Sequence, residues 1–401
     1  MFRRTIRYSQ KCFGLSKKLK DITDRRLKPQ IATAKIAVSI FSLQMANLGS
    51  IHDFSQSVLS PSPSTIARVA DTMSLDDIRE VGCRIYKEAR KKKMLSPYGD
   101  MWIGVIDGKE ITTSDYCKCG HCKKRKRRLK DGSIKYEYYH QVTAFILATK
   151  DFSFTLDVEP ILPGEGEKTS AYRLLERLCR TYPKAFSVLI GDGLYLNGKI
   201  FKLMESHHKK VIAVLKEERR QLYQEAKALC SLSEPETYTE GKTSYRVWEH
   251  LIPGCWDGYG KAVRVIVSEE TTKRRVHSED GKGWKEVVEV TNWMWATNLD
   301  ESDSVGDLKN TVKICHCRWH IENRCFKETA DMWNVDHIYR HSENGIIVFL
   351  LFLFMAVNIF NIFATRNIKD RKIKTKLNLI KRIRGGFYAL KRPLSPIPIP
   401  I

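Results

Sequence analysis

The sequence has few acidic residues for its number of basic ones. Its 401 residues include 69 Lys and Arg but only 46 Asp and Glu, which gives a net charge of +23 and a pI near 9.5. A surplus of this size favours a polyanionic partner, most simply DNA or RNA, and predicts binding that weakens as salt rises. A membrane surface is the weaker alternative.

The sequence also lacks a secretory signal and a disulfide pattern. Its start, MFRRTIRYSQKCFGL, has no long apolar stretch after the basic residues. The eleven cysteines are odd in number and scattered, so we expect reduced thiols in a cytoplasmic protein. Long apolar runs are almost absent: only residues 346–364 could span a membrane, and Asn358 and Asn361 interrupt them. We therefore expect a buried core helix there, with a single membrane span as the alternative.

Three acidic residues occur in contexts typical of a metal-dependent nuclease. Asp107 (VIDGKE) and Asp192 (IGDGLY) each follow an apolar, β-branched run, which predicts a strand that ends at the acid. Glu322 lies in residues 304–333, which lack proline, open with Ser304 and Asp307 in a pattern resembling a capping box, and predict a helix. Carboxylates suit Mg²⁺ or Mn²⁺, and two such ions can act on one phosphodiester. We therefore predict that Asp107, Asp192 and Glu322 converge as catalytic metal ligands.

The order of the predicted elements indicates the fold class. Apolar runs at 141–148 and 154–161 predict two further strands, and residues 169–182 predict a helix before the Asp192 strand. Acids on the first strand, the fourth strand and a late helix match the ribonuclease H layout. The prediction is an α/β protein: a ribonuclease-H-like mixed-sheet core, split by a β-rich insertion, with an N-terminal helical module and C-terminal helices.

Composition shifts along the chain suggest five segments. They are a helical DNA-binding module (1–95), the first part of the catalytic core (96–237), a β-strand insertion (238–298), the second part of the core with the glutamate helix and the apolar helix (299–365), and a basic C-terminal tail (366–401). In the first segment a helix-turn-helix and a plain packing bundle both fit. Within the core, residues 196–208 predict a helix and residues 210–216 a strand. The final residues, RPLSPIPIPI, are expected to be frayed or extended.

Two basic runs and one cysteine cluster are candidate binding sites. Residues 118–130 and 366–392 could track phosphates, although solvated loops are the plainer alternative. The motif CKCGHC places Cys117, Cys119, Cys122 and His121 within six positions, and these residues, or His140 as the histidine, could hold a structural zinc. Ordinary reduced cysteines in a basic hairpin are the alternative.

Five of the eight tryptophans lie in the predicted insertion. They are Trp248, Trp256, Trp284, Trp293 and Trp295. Most are expected in the sheet core, and an exposed one could stack on an unpaired base.

Taken together, these motifs resemble the insertion-sequence DDE transposases, in the branch with a β-strand insertion before the glutamate. The resemblance spans about residues 30–365 and rests on VIDGKE, on GDGLY with Tyr195, and on RWHIENRCFKE with Arg318, Trp319, Glu322 and Lys327. The family signature is Tyr-x2-Arg-x3-Glu-x6-Lys, where x stands for any residue. In the family its basic and aromatic residues bind the terminal phosphates of the transposon. Here Arg318 fits, but Cys315 and Thr329 occupy the tyrosine and lysine positions.

The resemblance implies a set of DNA contacts around these motifs. They are Tyr195, Arg318, Trp319, Arg324 and Lys327. In place of the missing signature residues, Arg324 or Lys327 is expected to contact the transposon end. Lys327 follows Glu322 by five positions, so in an α-helix its side chain would lie on a different face from Glu322.

The resemblance also implies the reaction and its partners. Two Mg²⁺ or Mn²⁺ ions would support nicking at the element end, and the freed 3′ hydroxyl would then attack target DNA. The family typically frees the second strand through a hairpin intermediate and works as a homodimer on two element ends. The expected location is the cytoplasm, at the nucleoid. The alternative is a catalytically decayed copy that binds DNA without cutting it.

Overall fold

The computed structural model describes the chain apart from several short segments. The described residues are 1–98, 100–116, 118–216, 221–253, 256, 258–277, 283–300, 308–369 and 375–390. The chain forms two compact units, one comprising Met1–Gly99, Asp107–Tyr182 and His320–Ile401, and the other Asp100–Ile106 and Pro183–Trp319. The units cut across the five predicted segments, because residues from both ends of the chain join the first unit.

Helices and strands alternate after a purely helical start. The α-helices are α1 (Phe2–Phe13), α2 (Leu15–Leu19), α3 (Thr33–Met45), α4 (Ile51–Ser57), α5 (Pro63–Ala70), α6 (Leu75–Lys91), α7 (Glu167–Thr181), α8 (Gly198–Ser206), α9 (Gln221–Leu232), α10 (Leu308–Cys315), α11 (Trp319–Ile321), α12 (Lys327–Trp333), α13 (Glu343–Asn367) and α14 (Lys376–Tyr388). The strands are β1 (Ile103–Ser114), β2 (Lys123–Arg128), β3 (Ile134–Ala148), β4 (Ser153–Pro160), β5 (Val188–Gly191), β6 (Lys210–Val214), β7 (Glu236–Glu240), β8 (Thr243–Ile252), β9 (Val263–His277) and β10 (Trp284–Thr297). This mixed α/β architecture confirms the predicted fold class.

Serine side chains cap three of the N-terminal helices. The hydroxyls of Ser50, Ser62 and Ser74 accept hydrogen bonds from the backbone N–H three residues later, at the start of α4, α5 and α6. Pro63 occupies the first turn of α5, where its missing N–H costs nothing. The helical character of residues 1–95 is confirmed, and their role in DNA binding stays a prediction.

In the first unit, α13 is the central helix. It packs against α3, α6 and β4, and all of its residues from Gly345 to Phe363 are buried. A helix that is apolar on every side needs partners all around it. Among the described residues α13 is the one helix long and apolar enough to cross a membrane, and its apolar window is wholly buried within the protein. The prediction of a core helix therefore holds.

Asn358 accounts for one of the two interruptions in the apolar run. Its side-chain oxygen accepts from the backbone N–H of Thr155 at 2.9 Å, and its side-chain nitrogen donates to the Thr155 carbonyl at 2.7 Å. Because β4 pairs only with β3 among the described strands, this amide satisfies backbone groups on its other edge. Asn361 is also fully buried, but its side-chain atoms have no hydrogen-bond partner within the described part of the chain.

Buried charges tie β4 to the helices on either side of it in sequence. Asp157 and Glu159 are 4% and 6% exposed. Arg177 of α7 lies 2.7 Å from each carboxylate, and Arg79 of α6 lies 3.1 Å from Asp157. Arg173 lies 2.5 Å from Glu159. Each buried carboxylate therefore has guanidinium partners, which offset its loss of hydration.

The two basic runs are more ordered than solvated loops. Residues 123–128 form β2, which pairs antiparallel with β3 from Lys123–Tyr139 to Arg128–Ile134. β3 also pairs antiparallel with β4 and borders β1. Part of the C-terminal run forms α14, where the Phe387 ring packs edge-on against Phe2 of α1 at 5.3 Å. The loop alternative is thus wrong for both of these stretches, and residues 391–401 lie outside the described part of the chain.

The second unit contains a mixed sheet. The first residues of β1 pair parallel with β5, and β5 pairs parallel with β6. β10, β9, β8 and β7 follow in antiparallel order from β6. The predicted helix at 196–208 and strand at 210–216 are present as α8 and β6. The β-rich run is present as four strands, the longest of which, β9 and β10, pair along 14 positions.

The two asparagines of α13 generate a matched pair of stability predictions. Asn358→Leu should lower the free energy of unfolding by about 2–6 kcal/mol, since two buried backbone groups of β4 each lose a partner worth roughly 1–3 kcal/mol. Asn361→Leu should cost less, because it removes polar atoms that have no partner in the described structure. Urea unfolding followed by tryptophan fluorescence measures both, since Trp333 packs on Phe360 of this helix. Equal losses would contradict this account of Asn358.

Candidate functional site

Asp107 lies inside β1 rather than at its end. The strand continues to Ser114, through the β-branched Ile111 and Thr112, because it borders β3. The predicted strand end is therefore wrong for this residue. Asp107 is half-buried, and its Oδ1 accepts the Gly108 N–H at 2.9 Å.

Gly108 marks a close approach instead of a turn. A Cβ at this position would overlap the carboxylate of Glu167, in the first turn of α7. Successive strand residues point to opposite faces, so Glu167 lies on the face away from the Asp107 side chain. The proximity of Glu167 was not predicted, because the only sequence signal for it is the glycine at position 108.

Asp192 sits at the end of β5, as predicted. It caps the 3₁₀ turn Gly193–Tyr195, and its Oδ1 accepts the Leu194 N–H at 2.8 Å. The carboxylate is half-buried. The cap fixes the direction in which the chain leaves the strand.

The Tyr195 ring packs over the end of β5. It is fully buried, and a Cβ on Gly191 would come within 2.7 Å of its Cβ, Cγ and Cδ2. Gly191 and Gly193 thus lie on either side of Asp192 in sequence, and the lack of a side chain at Gly191 leaves room for the Tyr195 ring. The predicted DNA contact by Tyr195 stays a prediction.

The register of β1 and β5 relates the positions of the first two acids along their strands. The parallel pairs run from Ile103–Val188 to Val105–Ile190. Asp107 and Asp192 each follow two residues after the last of these pairs. They therefore occupy equivalent positions in the two strand sequences.

Glu322 begins a π-helical turn that the sequence did not reveal. The turn spans Glu322–Phe326, and the backbone N–H of Lys327 donates to the Glu322 carbonyl. In an α-helix the fifth residue would point about 140° away, whereas this wider turn brings position 327 closer to the face of Glu322. Lys327 therefore lies closer to the Glu322 face than it would in an α-helix. Its side chain is exposed. Ser304 and Asp307, the predicted cap, lie outside the described residues.

The two positions that depart from the family signature are buried. Cys315 is 0% exposed and Thr329 is 1% exposed. The Thr329 hydroxyl donates to the Cys325 carbonyl at 2.6 Å. Neither side chain is placed to contact DNA.

The other predicted DNA contacts differ in exposure. Arg318 is buried with its guanidinium 4.1 Å above the Trp319 ring, and Trp319 packs edge-on against Trp293 at 5.7 Å. Arg324 donates to the carbonyls of Thr149 and Lys150 at 3.3 and 3.2 Å. Of the five tryptophans in the β-rich run, Trp295 is buried, whereas Trp284 is 64% exposed at the start of β10.

Four side chains of the first unit meet near the predicted cysteine cluster. They are Cys119, Cys122, His140 and His341. The set keeps two of the predicted ligands and the alternative histidine, but His121 is not part of it. His121 instead lies 3.7 Å from Glu343, and Cys117 lies outside the described residues. His341 was missed because it is 201 residues away from His140 in sequence.

Burial disfavours the charged forms of two members of this cluster. Burial, with smaller contributions from the nearby His341 and His121, lowers the pKa of His140 to about 4. Burial also raises the pKa of the Cys119 thiol to about 11. His140 and the Cys119 thiol are thus neutral near pH 7.

The two faces of β2 differ in charge balance. Lys124, Lys126 and Arg128 are exposed and lie opposite Tyr138, Tyr136 and Ile134, none of them acidic. The ammonium of Lys124 is 3.7 Å from the centre of the Tyr136 ring. On the other face, Arg125 contacts both Glu110 and Glu137, and Arg127 lies 3.6 Å from Glu137. The first face is a basic and aromatic surface, which we call the tyrosine face of β2.

Residues 98–359, well over half of the chain, match the family model of the transposase DDE domain. The chain belongs to this family. The match contains Asp107, Asp192 and Glu322 together with their motifs, and no curated protein matches the chain. Members of the family act on DNA in transposition and generally use divalent metal ions. The basic composition of this chain fits a DNA substrate.

Gly191 provides a test of how this transposase holds its second aspartate. Gly191→Ala should lower the free energy of unfolding by about 1–3 kcal/mol, because the new methyl group meets a buried ring that has no room to move. Gly82→Ala in α6, where a Cβ meets nothing within 4 Å, should instead stabilise by up to about 1 kcal/mol. Chemical denaturation measures both, and a neutral Gly191→Ala would contradict the packing described.

Proposed function

We propose that this transposase cleaves DNA at the ends of its mobile element and transfers the freed 3′ ends into target DNA. Asp107, Asp192 and Glu322 act in this proposal as the ligands of two Mg²⁺ or Mn²⁺ ions. The observation that carries it is the family match, which contains all three acids in their motifs.

The donor set suits these cations. All three groups are carboxylates, the oxygen ligands that hard divalent ions prefer, and all three are half-buried rather than sealed in the core. Asp107 and Asp192 each accept one backbone N–H, which orients the carboxylate. When bound, such ions stabilise the attacking and leaving oxygens of a phosphodiester.

The protein's own residues then hold and orient the substrate. We assign the phosphate contact near Glu322 to Lys327, which is exposed and follows the π turn, rather than to Arg324, which donates to backbone carbonyls. π turns are frequent at functional sites. Arg318 is buried with its guanidinium over the Trp319 ring, and a contact of either residue with DNA stays a prediction.

The tyrosine face of β2 is the DNA-binding surface we propose for the first unit. It offers three exposed cations with tyrosines beside them and no opposing acid. Such a surface tracks phosphates without reading sequence. In line with the family resemblance, two copies of the chain would each hold one element end, in the cytoplasm where the element's DNA resides.

A second candidate function is DNA binding without cleavage. Cys315 and Thr329 are buried at the two signature positions that would grip phosphate. A copy of the protein that had lost these phosphate contacts would still bind DNA through its basic surface but would no longer cleave it.

Carboxylate variants separate the two functions. Asp107→Asn, Asp192→Asn and Glu322→Gln should each lower cleavage of a supercoiled plasmid carrying the element and its native flanks in Mg²⁺. The fall should exceed the roughly 10–100-fold typical of residues that only orient metal ligands. Asp331→Asn, exposed on α12, is the control and should cut like wild type. Wild-type rates in Asp107→Asn would refute the assignment, and a wild-type protein that binds but never cuts in Mg²⁺ or Mn²⁺ would support the second function.

The two faces of β2 make a matched test of DNA binding. Lys124→Ala with Lys126→Ala should weaken binding to duplex DNA and make the plot of log affinity against log salt shallower by about 0.9 for each lost phosphate contact. Arg125→Ala with Arg127→Ala removes the same formal charge from the face where Glu110 and Glu137 balance it, and should change the slope less. Fluorescence anisotropy across a salt series gives both slopes. Identical slopes for the two double variants would argue against a specific DNA-binding face.

A further inference from the structure

Two thiols and two imidazoles converge at the base of the β2–β3 hairpin. Cys122 immediately precedes β2, His140 lies in β3, and Cys119 lies in the turn before Cys122. His341 comes from the segment between α12 and α13. Their ligand atoms all lie within 4.8 Å of one another. We propose that Cys119, Cys122, His140 and His341 bind one structural Zn²⁺ ion.

The separations between the ligand atoms match a tetrahedral zinc centre. With Zn–S near 2.3 Å and Zn–N near 2.0–2.1 Å, tetrahedral edges are about 3.8 Å for S···S, about 3.6 Å for S···N and about 3.3 Å for N···N. The sulfurs are 3.9 Å apart and the two Nε2 atoms 3.3 Å apart. The S···N distances are 3.5 Å for Cys119–His140, 3.2 Å for Cys122–His140 and 3.1 Å for Cys122–His341, the last two about 0.4–0.5 Å shorter than the ideal edge.

The backbone around the cysteines also fits a metal-bound thiolate. The N–H of Cys119 donates to the Cys122 sulfur at 3.2 Å, and the N–H of Cys122 donates to the Cys119 carbonyl at 3.1 Å. Outer hydrogen bonds of this kind orient ligands and stabilise negative charge on sulfur. A disulfide does not explain the pair, because bonded sulfurs are about 2.0 Å apart.

The donor types select the ion and its role. Two sulfurs and two nitrogens in a tetrahedral arrangement favour zinc over the hard cations that the carboxylates would take. Four protein ligands leave no open position, which is typical of a structural site rather than a catalytic one. An open cavity of about 540 Å³, lined by Cys119, His341 and their neighbours, provides a route for the ion to enter.

The site would join chain segments that are far apart in sequence. His140 and His341 are separated by 201 residues. The bound ion ties the hairpin that carries the basic strand to the chain just before α13. This consequence does not depend on the proposed DNA cleavage, so the zinc site can hold or fail independently of it.

Metal analysis of the full-length chain is the primary test. Protein purified from zinc-supplemented cells without a metal-affinity tag should contain one zinc per chain by elemental mass spectrometry. Replacement by Co²⁺ should give a thiolate-to-cobalt band and the intense visible bands of tetrahedral cobalt. Absence of zinc together with absence of these bands would overturn the proposal, as would a Cys119–Cys122 disulfide in protein that binds no metal when reduced.

Ligand variants separate metal binding from mere packing. Cys122→Ser and His341→Asn should each lower zinc affinity at least about tenfold, measured by competition with a chromophoric chelator. His341→Cys supplies a third thiolate and should retain one zinc with a stronger cobalt–thiolate band, which a hydrogen-bonded cluster without metal would not produce. His121→Ala, the histidine outside the cluster, and Cys230→Ser, a cysteine of the second unit, should bind zinc like wild type. Loss of zinc in His121→Ala with retention in His341→Asn would replace this ligand set with the one suggested by CKCGHC.

Discussion

The need to hide α13 from water organises the first unit. A helix with 19 consecutive buried residues presents apolar surface in every direction, so it cannot lie on one face of a sheet like an amphipathic helix. It requires α3 and α6 from the start of the chain and β4 from the middle. This requirement explains why residues 1–99 and 320–401 belong to the same compact unit although they are distant in sequence. It also explains Asn358, because an edge strand packed against an apolar helix needs a polar group to complete its backbone hydrogen bonds.

The acidic residues depend on backbone features of different kinds. Asp192 caps a turn, Asp107 lies within a continuing strand, and Glu322 opens a π turn. Each feature sets the direction of a carboxylate by main-chain geometry, which is stiffer than a side-chain contact. The surrounding glycines serve this geometry: Gly191 admits the ring of Tyr195, and Gly108 admits Glu167. The same carboxylate chemistry is thus supplied by three different local backbone arrangements.

Much of the fold could be predicted from the sequence because its signals are local. Apolar runs located β5 and β6, and the long apolar run located α13. The errors arose where tertiary contacts decide. The glycine of VIDGKE suggested a turn, but pairing with β3 carries β1 past Asp107. The π turn at Glu322 has no sequence signal, so an α-helical projection misjudged Lys327. For the metal cluster, short-range spacing suggested His121, whereas folding supplies His341 from 219 residues beyond Cys122.

The position of α13 in the chain also affects how the protein is made. The last residue of α3 is Met45 and the first of α13 is Glu343, so 297 residues lie between two helices that pack together. At about 5–20 residues per second, a ribosome needs roughly 15–60 s to cover that distance. During this time α3 and α6 can contact their N-terminal neighbours, but the faces that pack against α13 lack that partner. A chain truncated before Glu343 would therefore lack the helix around which the first unit packs.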